Sequence, residues 1–169
     1  TTIPSGAYSS MFKNCTSITL PPTMPDKFGT STYSPFNSTG ILTFSQVENG
    51  WHFSEMFRGC TSLTRALSVI KVGTTTIPNR CFYAMYYGCT NLHDASCGFP
   101  TAPATANGTS ISWGANGTFE IGDYSFNSMF YQCTNLVNLP EYLPSGHAAN
   151  CTYEYMFYRC TKITSPPVF

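Results

Sequence analysis

The chain of 169 residues predicts an α/β solenoid of about five coils. Each coil has one short parallel strand and one short helix, and two coils carry β-hairpin insertions. Three observations predict this: a motif that recurs five times, an alternation between two repeat lengths, and short extended runs that stop at proline. A unit of about two helical turns cannot bury an apolar stripe alone, so tandem copies imply stacking, each copy covering the open face of its neighbour. A single repeat domain over 1–169 follows, as one unit of a longer array or fibre.

The motif reads aromatic, two residues, Met, aromatic, two residues, Cys, Thr, one residue, Ile or Leu. Its copies run from Tyr8 to Ile18, Phe53 to Leu63, Phe82 to Leu92, Phe126 to Leu136 and Tyr153 to Ile163. Counted from Met11, Met56, Met85, Met129 and Met156, the fixed positions fall at −3, 0, +1, +4, +5 and +7. The first four have helical spacing and predict a short helix with one apolar face. Six residues before each Met stands Ser5, Gly50, Asn79, Asp123 or Asn150, residue types that favour a helix N-cap.

The strands are expected after the Cys-Thr step, at Ile18-Thr19-Leu20-Pro21-Pro22, Leu136-Val137-Asn138-Leu139-Pro140 and Ile163-Thr164-Ser165-Pro166-Pro167. Proline ends each run because it lacks the amide a further ladder bond needs. The motif cysteines are separated by 45, 29, 44 and 27 residues, so long and short coils alternate. The long ones insert Thr23 to Asn49 and Gly98 to Gly122. Both insertions carry hairpin signals: Ile41 to Phe44 with Val47 to Trp51, and Ile111 to Trp113 with Ala115 to Ile121 around an Asn-Gly turn. Insertions at alternate coils project from one side, and the aromatics Trp51, Trp113, Tyr33 and Phe119 make that side the candidate ligand-binding surface, the alternative being that they cover the solenoid's own flank.

Charged residues are 9% of the chain and their formal charges cancel. No basic stripe is present to neutralise phosphates, which excludes nucleic acid as an expected partner. No run approaches the roughly 18 apolar residues of a membrane helix, so no membrane insertion is expected. A surface rich in Thr, Ser, Asn and Tyr with few charges suits an extracellular or cell-surface protein. Sequons stand at Asn14, Asn37, Asn107, Asn116 and Asn150, making these the candidate glycosylation sites.

Five of the eight cysteines, Cys15, Cys60, Cys89, Cys133 and Cys160, lie on the motif's apolar face and read as a ladder of reduced core thiols. Cys81 and Cys97 lie eight residues either side of Cys89 and are the candidate disulfide, with free thiols as the alternative. The cysteine and histidine spacings fit no metal site. The carboxylates form no acid–base pair, and neither a nucleophile elbow nor a phosphate-cradling glycine loop occurs. No catalytic activity, cofactor or metal is expected.

The step Met129-Phe130-Tyr131-Gln132-Cys133-Thr134-Asn135-Leu136, preceded by Ile121-Gly122-Asp123-Tyr124-Ser125-Phe126, resembles the BspA-like leucine-rich repeats of bacterial and protist surface proteins. The likeness covers the motif part of all five copies. It implies a leucine-rich-repeat coil of strand plus short helix, secretion, and a role in adhesion or in contact with host or matrix. Even repeats of about two dozen residues are typical of that family, whereas this chain alternates.

Joining Val168-Phe169 to Thr1-Thr2-Ile3-Pro4 gives a run much like Val72-Gly73-Thr74-Thr75-Thr76-Ile77-Pro78, with 24 residues from Cys160 to the next Cys15. Head-to-tail stacking into a homopolymer is therefore expected, a contact that does not close on itself. The expected function is an extracellular, glycosylated structural protein forming a filament or surface stalk. The alternative is an adhesin-like module that grips carbohydrate or a host surface protein through its aromatic hairpins.

Overall fold

The computed structural model describes residues 2–3, 5–22, 43–44, 50–67, 70–71, 76–96, 100–101, 120–139, 143 and 147–167. Within them the five motif copies form five rungs, at 5–18, 50–63, 79–92, 123–136 and 150–163, stacked in sequence order. None of the rungs is helical. Among the described residues no α-helix occurs, which overturns the α/β solenoid of helix-bearing, leucine-rich-repeat coils.

Each rung is instead a run of linked β-turns. Alternate amides bond back three residues within the rung, as Met11 to Tyr8 (3.4 Å), Lys13 to Ser10 (3.1 Å) and Cys15 to Phe12 (3.1 Å). The amides between them point along the stack and donate to the next rung. Tyr8 donates to His52 (2.9 Å), Ser10 to Ser54 (2.9 Å), Phe12 to Met56 (2.9 Å) and Asn14 to Arg58 (2.7 Å). The same pattern joins every later pair of rungs, so the buried backbone is satisfied only by the stack.

The turns require left-handed backbone at every fourth residue. Positive φ occurs at Gly6, Ser10 and Asn14, then at Trp51, Glu55 and Gly59, and so on through Cys151, Tyr155 and Arg159. None of these residues is β-branched, the class for which this conformation is most strained. For a non-glycine residue it costs on the order of 1–2 kcal/mol, offset here by the inter-rung bonds and by ring stacking.

Two aromatic columns form the core. Tyr8, Phe53, Phe82, Phe126 and Tyr153 stack with centroids 5.3–5.4 Å apart. Phe12, Phe57, Tyr86, Phe130 and Phe157 stack at 5.3–5.6 Å. Each such pair contributes about 0.5–1.5 kcal/mol beyond its buried area. Met56, Met85 and Met129, with Cys60, Cys89 and Cys133, fill the space beside the columns and are fully buried. Tyr86, the tyrosine between the ends of the second column, accepts the Leu67 amide at 3.1 Å.

Strands are two residues long and all paired in parallel. They are β1 (Thr2–Ile3), β2 (Thr43–Phe44), β3 (Ile70–Lys71), β4 (Thr76–Ile77), β5 (Pro100–Thr101), β6 (Glu120–Ile121) and β7 (His147–Ala148). β1 pairs with β2, β3 with β5, and β4, β6 and β7 form one sheet in that order. Strands β1, β4, β6 and β7 precede their rungs, whereas the expected strands after the Cys-Thr step are reduced to single parallel bridges, Arg65 to Asp94 and Asp94 to Asn138. Thr43–Phe44 and Glu120–Ile121, assigned from sequence to hairpins, pair in parallel with neighbouring layers. Gly50 and Trp51 belong to rung 2, and the rest of both expected hairpins lies outside the described residues.

The expected helix caps also serve the stack. Asn79 Oδ1 accepts the Asp123 amide and Asp123 Oδ1 accepts the Asn150 amide, both at 2.9 Å. Far-UV circular dichroism of the protein is therefore expected to lack the paired minima of an α-helix. Gly88 has φ +72° and open space where a Cβ would stand, so Gly88→Ala is expected to cost about 1–2 kcal/mol in urea unfolding. At Gly59, φ +73°, the new methyl also meets the Asn14 side chain, and Gly59→Ala should cost more.

Candidate functional site

The direction of the inter-rung bonds makes the stack polar. Each of rungs 1 to 4 donates its alternate turn amides to the rung after it, so the two outer faces differ. On rung 1 the carbonyls of Ala7, Ser9, Met11 and Lys13 stand where the following rungs accept, and among the described residues nothing donates to them. On rung 5 the amides of Tyr155, Phe157 and Arg159 stand where the preceding rungs donate, and none finds an acceptor among the described residues. One face is an acceptor edge and the other a donor edge.

Both faces are also apolar. Met11 is 53% exposed, against 0% for its counterparts Met56, Met85 and Met129. Tyr155 and Tyr158 are exposed on rung 5. Beside them an apolar concavity of about 440 Å³ is lined by Leu143, Tyr155, Met156, Phe157 and Pro166 among others. Exposed apolar surface edged by unpaired backbone groups is the pattern of a contact surface.

The thiol ladder runs opposite to the amides. Cys60 Sγ lies 3.0 Å from the Phe12 carbonyl, Cys89 3.0 Å from Phe57, Cys133 3.1 Å from Tyr86 and Cys160 2.9 Å from Phe130. Each thiol donates to the preceding rung. Cys15, on the first rung, is exposed. Burial pushes the Cys60, Cys89 and Cys133 thiols above their ordinary range and Cys160 up to about 11. These groups are packing thiols, since the reactive form is the thiolate.

The flanks carry the few charges. Lys13 Nζ sits 2.7 Å from Glu55 Oε2, and Arg58 bonds the other carboxylate oxygen. Burial alone would raise the Glu55 carboxyl, but the hydrogen bonds and charges of Lys13 and Arg58 hold it below its ordinary value. A column of Tyr87, Tyr131 and Tyr158 stacks at 4.6 and 5.0 Å, with Arg58 4.5 Å over Tyr87 and Arg159 5.5 Å over Tyr158.

The candidate ligand-binding aromatics are not assembled by the described structure. Trp51 is half-buried, its ring 4.9 Å from the Arg80 guanidinium and edge-on to Tyr83 at 6.1 Å. Arg80 lies equally close to Tyr124, so this indole belongs to a flank column of the stack. Trp113, Tyr33 and Phe119 lie outside the described residues, as do the sequon residues Asn37, Asn107 and Asn116. Asn14 and Asn150 are exposed, but the threonine of the Asn150 sequon, Thr152, is buried and donates to Ala149 at 2.9 Å. Cys81 is a free and fully buried thiol rather than one half of the bridge considered with Cys97, which lies outside the described residues. Among the described residues no three His, Cys, Asp or Glu side chains gather as a metal site.

Sequence reasoning matched the two ends to each other but could not say which groups stand open on them, because the motif positions are alike in all five copies. Compared with family models, curated proteins and solved structures, the chain matches none.

The thiols predict alkaline sensitivity. A thiol whose folded pKa lies above its unfolded value of 9.0 stabilises the fold fully below that value, and the contribution is lost as pH rises through the folded pKa. Urea unfolding midpoints should therefore hold to about pH 9 and fall toward about pH 11. In Cys160→Ser the fall should be shallower.

Proposed function

We propose that the protein is an extracellular structural protein whose copies join head to tail into a filament or surface stalk. The observation that carries this reading is the polarity of the rung ladder. A donor edge and an acceptor edge of the same spacing stand at opposite ends of one stack, each beside exposed apolar side chains. Two copies placed end on end present the same complementary groups that join rung to rung inside the chain. Such a contact is heterologous and does not close, so it propagates.

The extracellular part of the reading rests on the sequence. Charged residues are few and sequons numerous, and the motif's resemblance to BspA-like surface proteins points the same way. A neutral, hydroxyl-rich flank leaves little charge repulsion between copies, while the end faces supply the attraction.

Met11→Glu tests the reading. Met11 is largely exposed, so the substitution should change monomer stability by no more than about 0.5 kcal/mol. In a filament the same site is buried like Met56, and an unpaired carboxylate there is costly. Wild-type protein is expected to form filaments in negative-stain images and to sediment as polymer, while Met11→Glu stays monomeric with an unchanged unfolding midpoint. Discrete wild-type monomers at high concentration would overturn the proposal.

A further inference from the structure

Resting on the head-to-tail reading, we infer that the junction between copies is in register with the motif: rung 5 of one copy receives rung 1 of a second copy at matching motif positions. The amides of Tyr155, Phe157 and Arg159 then donate to the carbonyls of Ser9, Met11 and Lys13 of the second copy. This repeats the steps from Ser10, Phe12 and Asn14 to Ser54, Met56 and Arg58 inside the chain. The Phe12 ring settles on Phe157 and extends the second aromatic column. Met11 leans into the concavity beside Tyr155 and Met156.

Two features select this register over its neighbours. The turn repeats every four residues, so a slip of four would still set donors against acceptors and an aromatic against an aromatic. It would, however, shift the pairing of the lead strands by four residues. β4, β6 and β7 occupy the same place before rungs 3, 4 and 5 and pair in parallel without a shift. β1 holds that place before rung 1 and meets β7 without a shift when the rungs are in register, although inside the chain it pairs with β2, which stands four residues further from its own rung. The thiol ladder makes the same choice. Each motif cysteine donates to the carbonyl four residues after the ring of the first column on the preceding rung, as Cys160 does to Phe130. In register, the exposed Cys15 thiol reaches the Phe157 carbonyl, which otherwise accepts only the Cys160 amide among the described residues.

The inference identifies a register-specific pair of side chains. Inside the chain, position −2 side chains of successive rungs touch: Asn127 Nδ2 donates to Glu154 Oε2 at 3.0 Å. In register, Glu154 lies beneath Ser9 of the next copy, whereas a slip of four places it beneath another position. Ser9 is half-buried and Glu154 exposed, so both tolerate substitution.

Critical concentrations for assembly at low salt, read by sedimentation of Ser9→Lys, Ser9→Glu and the double variant Ser9→Glu/Glu154→Lys, test the register. An exposed pair at this separation changes affinity roughly two- to fivefold. Ser9→Lys should lower the critical concentration by about that factor, Ser9→Glu raise it, and the double variant restore it. Alkylation followed by peptide mass spectrometry gives a second readout. Cys15 should be modified rapidly in unassembled Met11→Glu and at least tenfold more slowly in wild-type filaments, while Cys151, on the flank column of Trp51 and Arg80, stays reactive in both. Filaments indifferent to charge at Ser9, a double variant no better than Ser9→Glu alone, or filaments with Cys15 still reactive would overturn the register and leave the filament standing. Wild-type protein that forms no polymer would remove both.

Discussion

Every second amide of the motif leaves its own rung and bonds to the next, and the rest of the structure depends on that division. A rung cannot satisfy its backbone alone, because a run of turns bonds only half of its amides internally. A neighbour in register is therefore obligatory, and with it come the flat stacking of rings at 5.3–5.6 Å and the burial of methionine and cysteine between layers. The left-handed residues at every fourth position are the local cost of aiming those amides along the stack. Because all rungs run the same way, these alternate turn amides share one direction, and the two end rungs present unlike groups.

The same rules explain why ordinary side chains take unusual work. Asn79 and Asp123, residue types that cap helices, accept amides from the following rung. Three arginines lie over aromatic rings, with Arg80 between Trp51 and Tyr124. Thiols donate weakly to carbonyls that already hold one bond, using the second lone pair. In a chain with so few charged groups, these contacts replace the ion pairs of a typical surface, and the cluster of Lys13, Glu55 and Arg58 is an exception.

Repeats were legible and their conformation was not. Spacing alone located the five rungs, since Met and the two aromatics recur without a gap. Helical geometry was inferred because positions −3, 0, +1 and +4 fall within an arc of about 100° on a helix. Turns of period four place the same residues in two columns, −3 with +1 and 0 with +4, and over only eight residues the two periods barely diverge. Gly6, Gly59 and Gly88, with Asn14, were the local signal for left-handed backbone. At the other left-handed positions, Trp51, Glu55, Arg80 and Tyr155 give no such sign, because stacking rather than propensity holds them there.

The candidate site divides in the same way. Trp51 was drawn toward a ligand surface by residue type, and the structure commits it to a cation–π contact on the flank. By contrast, Met11 and Cys15 are indistinguishable in sequence from Met56 and Cys60, yet they are exposed where the latter are buried. The sequence by itself determined which residues repeat, where the rungs lie and which side chains meet their counterparts, since periodicity and apolar character are local properties. Only the tertiary structure decided that the rungs are turns, that their alternate turn amides point one way and that rungs 1 and 5 present unlike groups. Hydrogen-bond direction belongs to the stack, and no single repeat contains it.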